Sequence, residues 1–138
     1  MALREELALS ALPESVGLGR HFLRRTLKRW QLPDDTIDSA TLLVSEALTN
    51  AVVHASPPVS LVVRSDGDLL VEVHDGDSTP ALTSVESAGL QSLIRDPDLE
   101  AENGRGLAMI AMLATRWGIT AEREGKTVWF TLDVPQVA

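Results

Sequence analysis

Two alternating runs on either side of Asp66-Gly67-Asp68 constrain this chain more than any other feature. Val59, Leu61 and Val63 recur at every second position of residues 59–65, and Leu69, Val71 and Val73 do the same within residues 69–75. Successive strand side chains point to opposite faces, so the pattern predicts a hairpin with one apolar face. Such a face has to be covered by another layer.

Two helices upstream can cover it. Pro13 opens the first, where a missing N–H costs little, and Val16, Leu23, Leu27 and Trp30 make a stripe along it. Pro33-Asp34-Asp35 ends that helix and offers caps for a second one running to about Ala55. Ile37, Ala40, Val44, Ala47, Leu48 and Ala51 turn its apolar side toward the core. Residues 5–12 alternate as a half-buried strand. A third helix is expected from Gly106, with Leu107, Ile110, Ala111, Ala114 and Trp117 in helical register. Two closing strands, at about 117–124 and 127–134, flank a turn around Gly125. The weakly patterned stretch 76–103 is long for a simple connection and reads as a lid, a binding loop or a disordered segment.

The order is therefore β-α-α-β-β-lid-α-β-β, an α+β arrangement with helices on one face of a mostly antiparallel sheet. With 138 residues, 44% of them hydrophobic, the whole of 1–138 is expected to be one domain. The absence of cysteine excludes a disulfide scaffold, a cysteine-ligated zinc site and a thiol nucleophile. Neither a long apolar span nor a basic-then-apolar N-terminal leader is present, so a cytoplasmic location is expected.

A net charge of −8 argues against a general nucleic-acid binder or an anionic membrane surface as partner. The charge is uneven: residues 1–33 carry +3 and residues 34–138 carry −11. Arg20, Arg24 and Lys28 form one i, i+4 row of the first helix, and Arg25 and Arg29 another. This is either a solvated face or a docking surface for an acidic partner.

Several groups could carry chemistry. Glu46, Asn50 and His54 recur every fourth residue on an otherwise apolar helix, as a solvated stripe or as a site. Asp75 shares the parity of Leu69, Val71 and Val73, so its carboxylate points toward the helix layer, unless it caps the turn at Gly76. Burying a carboxylate requires a donor. Gly104-Arg105-Gly106-Leu107 is a glycine-rich turn entering a helix, where backbone N–H groups and the positive helix end suit phosphate. Gly125-Lys126-Thr127 echoes the end of a P-loop, but Thr120 stands where the first glycine is needed and Val128-Trp129-Phe130 reads as strand.

In combination these segments are far more specific. Glu46-Ala-Leu-Thr-Asn50-Ala-Val-Val-His54 resembles the N box of the GHKL ATP-binding superfamily, Val71-Glu-Val-His-Asp75-Gly76 its G1 box, Gly104-Arg-Gly-Leu107 its G2 box, and Gly125-Lys-Thr-Val-Trp-Phe-Thr-Leu its final strand motif. The run from Gly104 into Arg116-Trp117-Gly118 and then Gly125-Lys-Thr-Val-Trp129 is similar to the bacterial anti-sigma-factor serine-protein kinases.

The resemblance implies a two-layer α/β sandwich of the Bergerat type, with a mixed, mostly antiparallel sheet, three helices on one face and an ATP lid at about 76–103. It implies ATP and Mg2+ as cofactors, Asn50 as the metal residue and Glu46 as the catalytic base. Asp75 would hold the adenine amine, with Gly76 in the base-binding turn and Thr127 in the same hydrogen-bond network. Gly104, Arg105 and Gly106 would hold the phosphates, with Leu107 packed near the nucleotide. His54 closes the polar row as a nucleotide contact or a structural hydrogen-bond donor. The implied activity is phosphorylation of a serine on an anti-anti-sigma protein of the STAS type, coupled to sequestration of a sigma factor. Arg20, Arg24 and Lys28 would face the partner and the protein would form a homodimer. The alternative is an ATP-binding regulatory module without phosphotransfer. Two departures favour that alternative: Asp77 follows Gly76 where the G1 pattern has glycine, and Asp96, Asp98, Glu100 and Glu102 crowd the lid. His21 is followed by Phe-Leu-Arg, so histidine autophosphorylation is not expected.

Overall fold

The computed structural model describes residues 2–54, 57–76, 85–86, 112–122 and 125–134. Strand β1 (Leu3–Leu9) leads into helix α1 (Glu14–Arg29) and helix α2 (Asp34–His54). Strands β2 (Val59–Asp66), β3 (Asp68–Asp75), β4 (Val85–Glu86), β5 (Arg116–Glu122) and β6 (Gly125–Leu132) complete the described elements.

Pro13 sits at the α1 N-cap, as its missing N–H allows. The buried Ser15 Oγ donates to the Ser10 carbonyl at 2.6 Å and fixes the exit from β1. At the other end Gln31 takes φ 62°, with N–H bonds from Gln31 to the Lys28 carbonyl and from Leu32 to the Leu27 carbonyl. That pair is the Schellman closure, achieved here without glycine. Gly19 of α1 lies against the Leu48 side chain of α2 so closely that a Cβ there would overlap it. The two helices therefore pack in direct contact.

The sheet order is β1-β2-β3-β6-β5-β4. Every pairing is antiparallel, so the expected mixed sheet is corrected to a purely antiparallel one among the described strands. Hairpins β2/β3 and β5/β6 each pair consecutive strands, and β3 joins β6 in the middle. The expected hairpin turn is present, with Gly67 at φ 85°.

One face of the sheet and the two helices enclose the core. Leu23 and Leu27 of α1 meet Ile37, Ala40, Leu43, Val44, Ala47, Leu48 and Ala51 of α2, over Leu61, Val63, Leu69, Val71, Val73, Trp117, Ile119 and Phe130. The expected third helix lies outside the described residues apart from Met112 and Leu113, which are helical. Trp117 is not part of it. The Thr115 N–H already donates to the Thr131 carbonyl, so strand pairing has begun before Trp117, which is buried opposite Phe130.

Beside it, Gly118 faces Trp129 across β5 and β6, and a Cβ there would come within 2.7 Å of the indole. Glycine lets the ring lie over the outer sheet face. Trp117 inward and Gly118 under Trp129 give the Arg-Trp-Gly and Gly-Lys-Thr-Val-Trp segments one shared packing reason.

Candidate functional site

The β2/β3 register decides where the polar groups collect. Ser60 pairs with His74, so the start of β2 and the end of β3 share one end of the sheet. β6 begins there too, because Lys126 pairs with Asp75 and Thr127 with His74. Val59 follows His54 by five positions, and that stretch spans no more than about 18 Å. The last turn of α2 therefore ends within about 18 Å of the start of β2, at the end of the sheet that also carries Asp75 and Lys126.

Asp75 lies on the helix-facing side, as its parity predicts, and its side chain is 1% exposed. Its register partner Lys126 shares that face because directly paired antiparallel residues point the same way. The Lys126 ammonium approaches the Asp75 carboxylate at 3.9 Å, with the lysine side chain 11% exposed. This cation offsets the cost of burying the carboxylate. Gly125, at φ 156°, packs against the Asp75 carbonyl so tightly that any Cβ would collide with it. The start of β6 is thereby held against the end of β3.

Thr127 is placed on the opposite face of the sheet from Asp75. Its Oγ1 is 2.6 Å from His74 Nδ1, and His74 Nε2 stands 3.4 Å from Glu72, which also faces Arg64 at 3.4 Å. Strand alternation thus puts Thr127 beside His74, while the register partner of Asp75 is Lys126. Lys126, paired with Asp75, is a residue that the sequence reading did not single out. Its signal was its parity with Val128, Phe130 and Leu132, which all point inward.

On α2, the hydroxyls of Thr41, Ser45 and Thr49 donate to the carbonyls of Ile37, Thr41 and Ser45, respectively, and are used within the helix. Glu46 and Asn50 are half-buried beside the core stripe and make no side-chain hydrogen bond to another described residue. A carboxylate and an amide one turn apart thus keep their hydrogen-bonding and ligating capacity. His54 is the last helical residue. Gly76 is half-buried just past β3, whereas Gly104, Arg105, Gly106 and Leu107 fall outside the described residues.

The basic face of α1 lies on another part of the molecule. Arg24 pairs with Asp38 of α2 at 3.2 Å and Arg29 with Glu5 of β1 at 2.9 Å. Arg20, Arg25 and Lys28 are exposed and have no ion-pair partner among the described residues. Between α1 and β1 a groove of about 350 Å³ is lined by Leu7, Leu9, Leu18, Phe22, Arg25 and Arg29, among others.

The antiparallel sheet under two helices, with a buried carboxylate at the end of β3, is the architecture of a histidine kinase-like ATPase. The model of that family, described as the histidine kinase-like ATPase domain, matches residues 9–132, and the chain belongs to it, within the anti-sigma kinase branch of the GHKL superfamily. The serine-protein kinase RsbW of Listeria innocua is 30% identical over 119 residues, 78% of this chain and 73% of that protein. A crystal structure of the RsbU and RsbW domains of a Mycobacterium tuberculosis protein superposes with a TM-score of 0.70 over 99% of this chain, at 19% identity. This chain spans about a third (34%) of that larger one. Among the described residues no helix is long and apolar enough to cross a membrane.

Proposed function

We propose that the protein is an ATP-dependent serine kinase that phosphorylates an anti-anti-sigma partner of the STAS type and holds a sigma factor when that partner is absent. The observation that carries this reading is the half-buried Glu46–Asn50 pair, one turn apart on α2, in the same domain as the buried strand-end carboxylate of Asp75. The relative named serine-protein kinase RsbW supports it.

The residues present fit the cofactors. Asn50 offers a side-chain carbonyl, a hard oxygen donor of the kind Mg2+ accepts in addition to phosphate oxygens. Asp75 is acceptor-only when ionised and suits the exocyclic amine of adenine. Mg2+ would neutralise charge on the transferred phosphoryl group. Glu46 accepts the proton of the attacking serine hydroxyl as its oxygen bonds to the γ-phosphorus and the bond to the β-phosphate oxygen breaks, leaving ADP. Gly104, Arg105, Gly106 and Leu107 would hold the phosphate side of the nucleotide, His54 and Gly76 its surroundings. Arg20, Arg24 and Lys28 would meet the acidic partner, and the active unit would be a cytoplasmic homodimer.

Labelled ATP, Mg2+ and a STAS-domain protein, mixed with the wild type, Glu46→Ala and Asn50→Ala, test this reading. Transfer of label to a serine of the STAS protein by the wild type alone is expected. ATP binding without transfer to any such protein would make the molecule a regulatory module instead, the reading that Asp77 and the acidic residues 96–102 favour.

A further inference from the structure

On the sheet face turned away from the helices, a line of polar side chains crosses three strands. Arg64 Nε of β2 lies 3.4 Å from Glu72 Oε1 of β3, His74 Nε2 lies 3.4 Å from Glu72 Oε2, and Thr127 Oγ1 of β6 is 2.6 Å from His74 Nδ1. Both nitrogens of the His74 ring are thus engaged, one by a carboxylate on its own strand and one by a hydroxyl on the next. The line is sheltered, with the His74 side chain 32% and the Glu72 side chain 18% exposed. His74 and Thr127 are register partners, so they meet across the single ladder between β3 and β6.

These partners treat the two charge states of the ring differently. An ionised carboxylate only accepts hydrogen bonds, so in the neutral ring the proton belongs on Nε2 and the Nδ1 lone pair accepts from the Thr127 hydroxyl. Protonation places a second hydrogen on Nδ1, makes Thr127 Oγ1 the acceptor, and turns the approach to Glu72 into an ion pair. The other described groups on this face do not cancel that gain. Ser60 of β2, opposite His74, and Thr120 of β5, opposite Thr127, are uncharged. Arg64 opposes the charge of the ring, but from the far oxygen of Glu72, and Arg4 and Glu6 of β1 pair with each other. Asp75 and Lys126 point to the other face. We infer that His74 is a proton-responsive bridge across the seam between β3 and β6, and that a proton gained there holds the two halves of the sheet more firmly. The folded state favours the charged ring, so this contribution is present at low pH and is lost as pH rises.

Thermal midpoints of the wild type and His74→Asn, measured from about pH 8 to about pH 5.5, span the range in which histidines change charge. Subtracting the variant removes the contributions of His21 and His54. The wild-type advantage is expected to grow by about 2–4 °C toward the lower pH. Repeating the comparison in a Glu72→Gln background should abolish or reverse that growth, because the proton then meets only Arg64. Should His74→Asn not fold, His74→Gln carries the same expectation. Imidazole nitrogen shifts of the wild type, read by NMR, should show the proton on Nε2 at high pH and on both nitrogens at low pH. An advantage that does not change with pH, growth that survives Glu72→Gln, or a neutral ring protonated on Nδ1 overturns the inference. None of these readouts involves a nucleotide, so the outcome is independent of the function proposed above.

Discussion

At the scale of single residues, the site depends on a few positions where alternatives are closed by geometry. Gly125 is one: a Cβ would occupy the space of the Asp75 carbonyl. Gly125→Ala is expected to cost about 3 kcal/mol or more, in the range of severe overpacking and backbone strain, and to lower the urea midpoint accordingly. Glu46 is different, because it is half-buried and makes no hydrogen bond to another described residue. Glu46→Gln should leave folding and ATP binding near wild type while slowing phosphotransfer by about 100-fold or more, measured in a single-turnover assay. The placement of these residues was only partly legible in the sequence. Asp75 was readable because parity along one strand is a local property, and its burial agrees. The neighbour of Asp75 depends on pairing between strands distant in sequence, and Lys126, which takes that place, was not singled out.

At the scale of elements, helix ends and cross-strand packing carry the testable energetics. Gln31 holds a left-handed backbone at the end of α1, a conformation that favours glycine. Gln31→Gly should therefore stabilise the protein by about 1 kcal/mol, seen as a rise in thermal midpoint. Gly118 lies under Trp129, and Gly118→Val should displace the indole, costing about 1–3 kcal/mol and shifting the tryptophan emission toward that of an exposed ring. The helices and the β2/β3 hairpin stood out in the sequence because their periodicities are strong and uninterrupted. Trp117 misled because helical spacing from Ala114 and strand alternation with Ile119 fit the same residue. The backbone bond from Thr115 to Thr131, a tertiary contact, decides between them.

For the whole molecule, the charge asymmetry has become more specific. Of the basic residues on α1, Arg24 and Arg29 are engaged by Asp38 and Glu5, leaving Arg20, Arg25 and Lys28 to project a positive field from an acidic protein. If the partner docks there, Arg20→Glu with Lys28→Glu should slow its association at least about tenfold, and added salt should reduce that difference. Stopped-flow binding at two ionic strengths checks both. The α+β class and helix-covered sheet were legible from patterning alone. The strand order was not, since nothing local announces that β3 meets β6.

That central pairing has a consequence for assembly. Among the described strands it is the sole ladder between the first three and the last three, joining His74 to Thr127 across 53 positions of sequence. Asp75 and Lys126 stand on opposite sides of the seam, so this buried charge pair comes into being only when the two halves of the sheet have docked. A nucleotide that touches both would act as a clasp, and its binding energy would add to the cohesion of the halves. Two polypeptides divided between β3 and β5 should then reassociate more tightly with ATP present than without it.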